Sequence, residues 1–396
     1  MIYLDNAATT LVRKEVYDKM LPYFTEYYGN PSGVYDLAIK SKNAMEESRE
    51  HIATLIGAEK EEIVFTSGGT EADNYAIKGC AIMHKDKGRH IITTKIEHHA
   101  VLESCKFLEK NGFQITYLDV DEYGIVKLDM LKNEIRTDTI LISVMMANNE
   151  IGTIQPISEI GAIAKQKGVL FHTDAVQACG HIPISVKEQG ISMLSASGHK
   201  FGGPKGIGFI YIAKDVNITP FMHGGSQENG RRAGTGNVPS VVGMGEAARL
   251  SYIEMNKHMS YLIKLREYAI TRILKEIPFV RLNGHRYKRL PGNMNFSFQF
   301  VTGENIQIML DMKGIYVSTA SACSSESVEP SHVLMAIGLN EDLANSVIRM
   351  TISIDTTKKD IDSAINAIKE IVFKQRQLSS EYKEIINPHK RCGWRR

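Results

Sequence analysis

The chain is poor in cysteine and carries almost no excess of either charge. Its five cysteines, Cys80, Cys105, Cys179, Cys323 and Cys392, are odd in number, far apart and never in a Cys-x-x-Cys pair. That argues against a disulfide framework and against a zinc cage. Scattered free thiols suit a reducing cytosol. Lysine plus arginine is 47 and aspartate plus glutamate is 45, a net charge of +2. Such a balance gives no bulk electrostatic drive toward nucleic acid or an anionic membrane. No apolar run approaches the roughly 18 residues of a membrane span; Ile140 to Ala147 is typical of the longest. Met1 to Asn6 has neither the basic nor the apolar part of a secretion signal. The expected location is cytoplasmic. There is no P-loop ending in Gly-Lys-Ser/Thr, and Gly234-Thr235-Gly236 lacks the third glycine of a dinucleotide fingerprint.

What is present is a folded chain of 396 residues, 43% hydrophobic and 23% charged. Single cores stop growing near ~250–300 residues, so two domains are expected. Short β-rich runs alternate with helical stretches through the first two thirds: 63–65, 90–94, 115–118, 139–144, 169–173, 191–195 and 208–212. Alternation of this kind predicts an α/β domain built on a mostly parallel sheet covered on both faces. After about residue 250 the texture changes to one long polar helix, 250–275, followed by isolated strands at 279–282, 293–298 and 348–352 with helices between them. That reads as a smaller α+β domain. The expected division is 12–255 for the large domain, 1–11 with 256–380 for the small one, and 381–396 as a flexible tail.

The strongest chemical signal is Ser195-Ala196-Ser197-Gly198-His199-Lys200. A lysine after a strand end, in a small-residue turn, can be desolvated into a nucleophilic amine that holds a carbonyl cofactor as a Schiff base. A surface lysine beside a glycine turn is the plainer reading. Asp174 ends the preceding strand, on the rim where α/β sheets bind ligands. There it could face a pyridinium nitrogen and keep it protonated; otherwise it caps a helix. Thr66-Ser67-Gly68-Gly69-Thr70 joins a strand to a helix start and could cradle a phosphate, with hydroxyls from Thr70 and Ser197. Glu97-His98-His99 is a poor metal pair but offers one ring to cover a planar cofactor. Cys323 lies in a run of serine, threonine and alanine that suits an exposed, reactive thiol. Cys80, Cys105 and Cys179 read as core packing. Arg349, in the apolar run Val347-Ile348-Arg349-Met350, needs an anion: a substrate carboxylate or a structural partner.

Together these segments resemble the cysteine desulfurases of the NifS/IscS type, within the fold-type I pyridoxal phosphate enzymes. The resemblance runs from Tyr3-Leu4-Asp5-Asn6-Ala7-Ala8-Thr9-Thr10 to about residue 370. It includes Gly29-Asn30-Pro31-Ser32, Glu97-His98-His99-Ala100-Val101 and Ala147-Asn148-Asn149-Glu150-Ile151-Gly152. His172-Thr173-Asp174-Ala175-Val176-Gln177, Ser197-Gly198-His199-Lys200, Gly225-Ser226-Gln227-Glu228, Ser321-Ala322-Cys323-Ser324-Ser325 and Glu329-Pro330-Ser331-His332 continue it.

The resemblance implies a fold-type I architecture, with a seven-stranded, mostly parallel sheet and a smaller C-terminal α+β domain that carries the catalytic-cysteine loop. It implies that Lys200 binds pyridoxal 5'-phosphate covalently and shuttles a proton, and that Asp174 pairs with the ring nitrogen. Gln177 and Asn149 would bond the ring hydroxyl or substrate, and His98 would stack on the ring and act as acid or base. Gly69, Thr70, Ser197, Gly198 and His199 would hold the cofactor, mainly at its phosphate, and Thr235 would reach the phosphate of a partner subunit in a homodimer. Arg349 would clamp the carboxylate of L-cysteine, and Cys323 would take its sulfur as a persulfide, releasing alanine. The sulfur would pass to an acceptor protein for iron–sulfur clusters or thiolated tRNA. Two alternatives accompany this expectation: a selenocysteine lyase or related β-lyase, and a partner-dependent sulfur-relay protein with weak turnover of its own. The chain departs from the family pattern at Thr351-Ile352-Ser353-Ile354-Asp355 and at Arg231 to Gly236, and its tail with Cys392 and Trp394 has no counterpart in it.

Overall fold

The computed structural model describes residues 1–319 and 330–386. Twelve strands appear among them. They are β1 (Ile2–Tyr3), β2 (Ile63–Thr66), β3 (His90–Thr94), β4 (Gln114–Leu118), β5 (Thr139–Ser143), β6 (Leu170–Asp174), β7 (Met193–Ser197), β8 (Gly208–Ile212), β9 (Val280–Leu282), β10 (Asn293–Phe298), β11 (Ile315–Tyr316) and β12 (Val347–Thr351).

Seven strands form one sheet in the order β2-β8-β7-β6-β5-β3-β4. The neighbours from β7 to β4 pair in parallel, and β8 is antiparallel to both β7 and β2. Strands β2, β3, β5, β7 and β8 are buried on both faces, as the unbroken apolar runs of β5 and β8 require, while the edge strand β4 is only partly buried. One face packs on the helices Gly69–His84 and His99–Glu109, around Tyr75, Ile77 and Val101. A second core gathers Leu265, Ile270, Phe296, Phe298, Ile348 and Ile368 around the three-stranded sheet β12-β10-β9. Leu4 belongs to this second core although it lies near the start of the chain, because β1 pairs in parallel with β11.

Three elements differ from the sequence expectation. The long helix spans Val238–Glu276 and starts well before residue 250. Its first turns contain Gly243 and Gly245, poor helix formers, and they are there for close approach. A Cβ at Gly245 would stand 2.4 Å from Ser48 Cβ, and one at Gly243 would stand 2.5 Å from Met20 Sδ. The strand expected at 191–195 runs instead from Met193 to Ser197. Residues 380–386, most of which fell within the expected flexible tail, form a helix. Tyr382 anchors it, with its ring 6.0 Å from that of Phe279 and 5.6 Å from that of Phe300.

Candidate functional site

The direction of the strands explains why distant motifs meet. β2, β3, β5, β6 and β7 all point the same way, since β2 and β7 are both antiparallel to β8. Their carboxyl ends therefore open on one edge. From that edge emerge the turn before Gly69, the segment ending at His98, the Met145–Glu150 turn, Asp174 to Gln177, and Ser197 to Lys200. This is the rim where open α/β sheets bind ligands.

Lys200 closes a single helical turn, Gly198–Lys200, directly after β7. Its Nζ donates to the carbonyl oxygens of Ala7 at 2.7 Å and Ala8 at 2.9 Å. Gln177 Nε2 also donates to Ala7 O, at 3.0 Å. The N-terminal segment thus forms one wall of the site. His199 Nδ1 pairs with Thr9 Oγ1 at 3.1 Å, and burial together with the Lys200 and Lys205 charges lowers the ring to about 4.

Asp174 is almost fully enclosed, and its Oδ1 accepts from the Val176 amide at 2.9 Å. Burial raises its carboxyl to about 6; that amide and the Lys200 charge pull the other way. His98 caps the helix His99–Glu109, and its Nδ1 accepts from the Ala100 amide at 3.1 Å. That bond leaves the ring proton on Nε2. Burial, Lys200 and His99 push the ring down to about 4, so it is neutral at physiological pH. A neutral ring of fixed tautomer can cover a planar cofactor and donate one hydrogen bond from Nε2.

The residues present fit a phosphorylated, carbonyl-bearing pyridine. The helix Gly69–His84 has no side-chain cap at Gly68, and its first-turn amides have no intrahelical acceptor. The anion cradle is lined by Thr70 and by Ser197, whose Oγ lies 3.8 Å from where a Gly68 Cβ would be. A buried carboxylate, an amine and a neutral imidazole supply the donor set for the ring. Thr235 stands further out, in an open cavity of about 450 Å³ shared with Thr66, Ser67, Gly206 and Arg232.

Arg349 lies inside β12, opposite Asn295 of β10, and is buried. Its Nη2 pairs with Asp5 Oδ1 at 2.7 Å, its Nη1 donates to Asn149 O at 3.3 Å, and its Nε is buried without a partner among the described residues. Arg349 therefore has a structural anion and an unused donor together. The divergent Thr351 segment binds the same N-terminal wall. Ala7 N donates to Thr351 Oγ1 at 2.8 Å, and Asn6 Nδ2 donates to Thr351 O at 2.7 Å. Cys323 and Cys392 lie outside the described residues; Cys80, Cys105 and Cys179 are buried, and burial raises their thiols to about 12 or beyond.

Sequence reasoning missed the buried carboxylates around this rim. Glu97 accepts from Thr94 Oγ1 at 2.7 Å and from the Met145 amide, and burial raises it to about 8. Glu150 accepts from Ser331 Oγ at 2.6 Å, and His332 Nε2 meets Glu97 O at 2.9 Å. These two bonds tie the Ser331-His332 segment to the turns that carry His98 and Asn149. The only sequence cue was the position of each glutamate next to a residue already singled out.

Burial raises Glu150 from 4.5 to about 7, opposed by Ser331 and Arg349. The folded state therefore holds this proton more tightly than the unfolded chain does. That contribution to stability is lost as pH rises from the unfolded value through about 7, a cost on the order of 3 kcal/mol. Glu150→Gln should be more stable than the parent at pH 8, with the gap closing by pH 5. Thermal unfolding at both pH values checks this; an equal gap at both would refute it.

Comparison with known proteins agrees with the geometry. The aminotransferase class-V family model matches residues 2–363. The chain is 54% identical over 378 residues to a cysteine desulfurase IscS of Methanosarcina thermophila, covering 96% of this chain and 93% of that one. A solved NifS-like protein superposes with a TM-score of 0.89 at 38% identity, covering 94% and 99%. A structure described as SspA in complex with cysteine gives 0.80 at 37% identity, covering 89% and 99%.

Proposed function

The chain belongs to the cysteine desulfurases of the class-V aminotransferase family, and from that premise we propose how its own residues carry the reaction. The enzyme is dependent on pyridoxal phosphate and takes sulfur from L-cysteine. The observation that carries the residue assignment is the convergence of Lys200, Asp174 and His98 on one sheet edge, over an uncapped helix start.

The first turn of the helix Gly69–His84, with Thr70, Ser197, Gly198 and His199, would hold the cofactor's phosphate; Asp174 would face its ring nitrogen, and His98 would cover its face, with Gln177 and Asn149 at its edge. Bound there, the cofactor supplies an electron sink for negative charge at the substrate α-carbon. Lys200 takes the substrate α-proton on Nζ, within reach of the Ala7 and Ala8 carbonyls that orient the amine. Asp174, as an anion, would keep the ring nitrogen protonated. His98, neutral, donates from Nε2 and excludes water from one face. Arg349, whose Nε–H has no partner among the described residues, would present that donor to the substrate carboxylate. The Cys323 thiolate attacks the substrate sulfur: the new S–S bond forms as the C–S bond breaks, leaving a persulfide on Cys323 and, after proton return, alanine.

The persulfide is passed to an acceptor protein, for iron–sulfur cluster assembly or another sulfurated product. The working unit is a homodimer. Tyr28, Val34 and Tyr35 are exposed on either side of Pro31 and Ser32, which line the Thr235 cavity, and a second copy would cover these apolar side chains. The proposed two-domain division at about residue 255 is supported by the core around β12-β10-β9, which draws on Leu4 and on residues from Leu262 to Val372. Among the described residues no helix is long and apolar enough to cross a membrane; we place the enzyme in the cytoplasm.

Anaerobic incubation with one equivalent of L-cysteine, followed by peptide mass analysis, tests the assignment. The expected result is one added sulfur on the Cys323 peptide and none on the Cys392 peptide. Sulfur on neither would refute the persulfide step. For the carboxylate clamp, Arg349→Lys loses the planar fork but keeps the charge. KM for L-cysteine should rise by about 10- to 100-fold, the worth of one charged hydrogen bond. An unchanged KM would confine Arg349 to its pairing with Asp5.

A further inference from the structure

Beneath the rim, the helix Gly69–His84 places a third carboxyl, Asp73, against the inner side of the site. It is 1% exposed, and its Oδ1 accepts no hydrogen bond among the described residues. The groups facing it come from three strands and the segment after a fourth. β6 contributes His172, whose Nε2 is 3.7 Å from Asp73 Oδ1, and also Asp174. β7 contributes Ser195, which is hydrogen-bonded to Asp73 and whose Oγ lies 3.0 Å from His172 Nε2. β5 contributes Ser143, 2.8 Å from His172 Nδ1. Glu97, after β3, adds a further buried carboxyl. Its one close basic neighbour among the described residues is thus an imidazole whose two nitrogens are both engaged by serines.

That arrangement has two possible wirings. If Asp73 were an anion, it would accept from Ser195 O–H but have no counter-charge among the described residues in a dry interior beside Asp174, a large electrostatic cost. If it is the neutral acid, the chain closes in one direction. Asp73 O–H donates to Ser195 Oγ, Ser195 O–H donates to His172 Nε2, and His172 Nδ1–H donates to Ser143 Oγ. Every group of the chain is then neutral, and the one polar atom left without a partner among the described residues is Asp73 Oδ1, a neutral carbonyl oxygen, which costs far less to bury than a charged one.

We propose that Asp73 is a positioning residue that stays a neutral carboxylic acid, bonded through Ser195 to His172, so that Asp174 is the carboxylate that faces the cofactor's ring nitrogen. A second negative charge at Asp73 would compete for the charge of the bound ring and raise the affinity of the Lys200 nitrogen for its proton. Asp73 thereby sets the electrostatic floor on which Asp174 works, without touching substrate. Burial first, then the nearness of Asp174 and Glu97, hold the Asp73 proton on against the opposing bond with Ser195, while burial alone lowers His172 to about 3.

The functional part of this inference rests on the cofactor assignment; the protonation state does not. Asp73→Asn mimics the neutral acid in shape and charge. The infrared difference spectrum of parent minus Asp73→Asn, taken at pH 8 with and without cofactor, should show the carbonyl stretch of a protonated carboxyl. In the holoenzymes, the pH midpoint of the cofactor's visible absorption should move by no more than about 0.3 unit between parent and variant. A missing acid band, or a midpoint lowered by about one unit or more in the variant, would overturn the proposal, since removing a buried negative charge does the latter. If the variant does not fold, parent protein labelled with carbon-13 at its aspartate carboxyls decides. One resonance must stay at the protonated position up to pH 8; its absence overturns the proposal. The acid band is read without cofactor, so failure here is distinct from failure of the desulfurase reading.

Discussion

Lys200→Ala is expected to reduce alanine formation from L-cysteine by on the order of 10⁴-fold or more. On the proposed assignment the substitution removes two things at once: the amine that would hold the cofactor covalently and the base that would move the α-proton, the second alone worth up to roughly 10⁴. The surroundings say why no neighbour substitutes. His98 is lowered to about 4 and its Nδ1 is tied to the Ala100 amide. His199 is likewise lowered, with its Nδ1 against Thr9. Neither is a competent base at the position of Nζ. The variant should keep its circular dichroism and thermal midpoint, because the Nζ bonds to the Ala7 and Ala8 carbonyls are partly exposed rather than part of either core. Lys200→Arg, which keeps the charge and loses the nucleophile, should be as inactive. Activity within tenfold of the parent would remove Lys200 from the chemistry.

The second large effect is expected at Asp174. Asp174→Ala removes the anion facing the ring nitrogen, and kcat should fall by about 10²- to 10⁴-fold. The same dependence should show in the parent as an acid limb. A carboxyl raised to about 6 is ionised above that value and neutral below it. Activity that needs the anion therefore falls as pH drops through about 6, or lower once a ring cation is bound beside it. The pH profile of kcat/KM in the parent reads this directly. A profile flat from pH 8 down to pH 5, together with a kcat for Asp174→Ala within tenfold of the parent, would show that Asp174 does not act as an anion. Asp174→Ala also leaves the Val176 amide without its acceptor, so a modest loss of stability is expected in addition to the loss of rate.

How far the sequence alone could reach is clearest from these residues. Asp174 and Lys200 were legible because each follows a recognisable β run, and the parallel sheet then brings consecutive strand ends together. The N-terminal wall was not legible in physical terms. Ala7 and Ala8 act through backbone carbonyls, and a carbonyl acceptor leaves no trace in the side-chain pattern. Asp73 was hidden for another reason. In Gly-Thr-Glu-Ala-Asp-Asn it looks like one more polar residue at a helix start, and only packing of that helix on β6 and β7 shows that it is buried. The early start of the Val238–Glu276 helix was masked by Gly243 and Gly245, which weaken helix propensity but admit the helices beside them. Asp5, the partner of Arg349, is 344 residues away along the chain, and no local pattern announces such a pair.

The proposed route takes sulfur from L-cysteine through a persulfide on Cys323. Alanine release from L-cysteine with a reductant present, comparing the parent with Cys323→Ser at equal cofactor content, tests it. Steady release by the parent and its loss in the variant are expected. Equal release from both would contradict that route and point to direct elimination without a protein-bound sulfur.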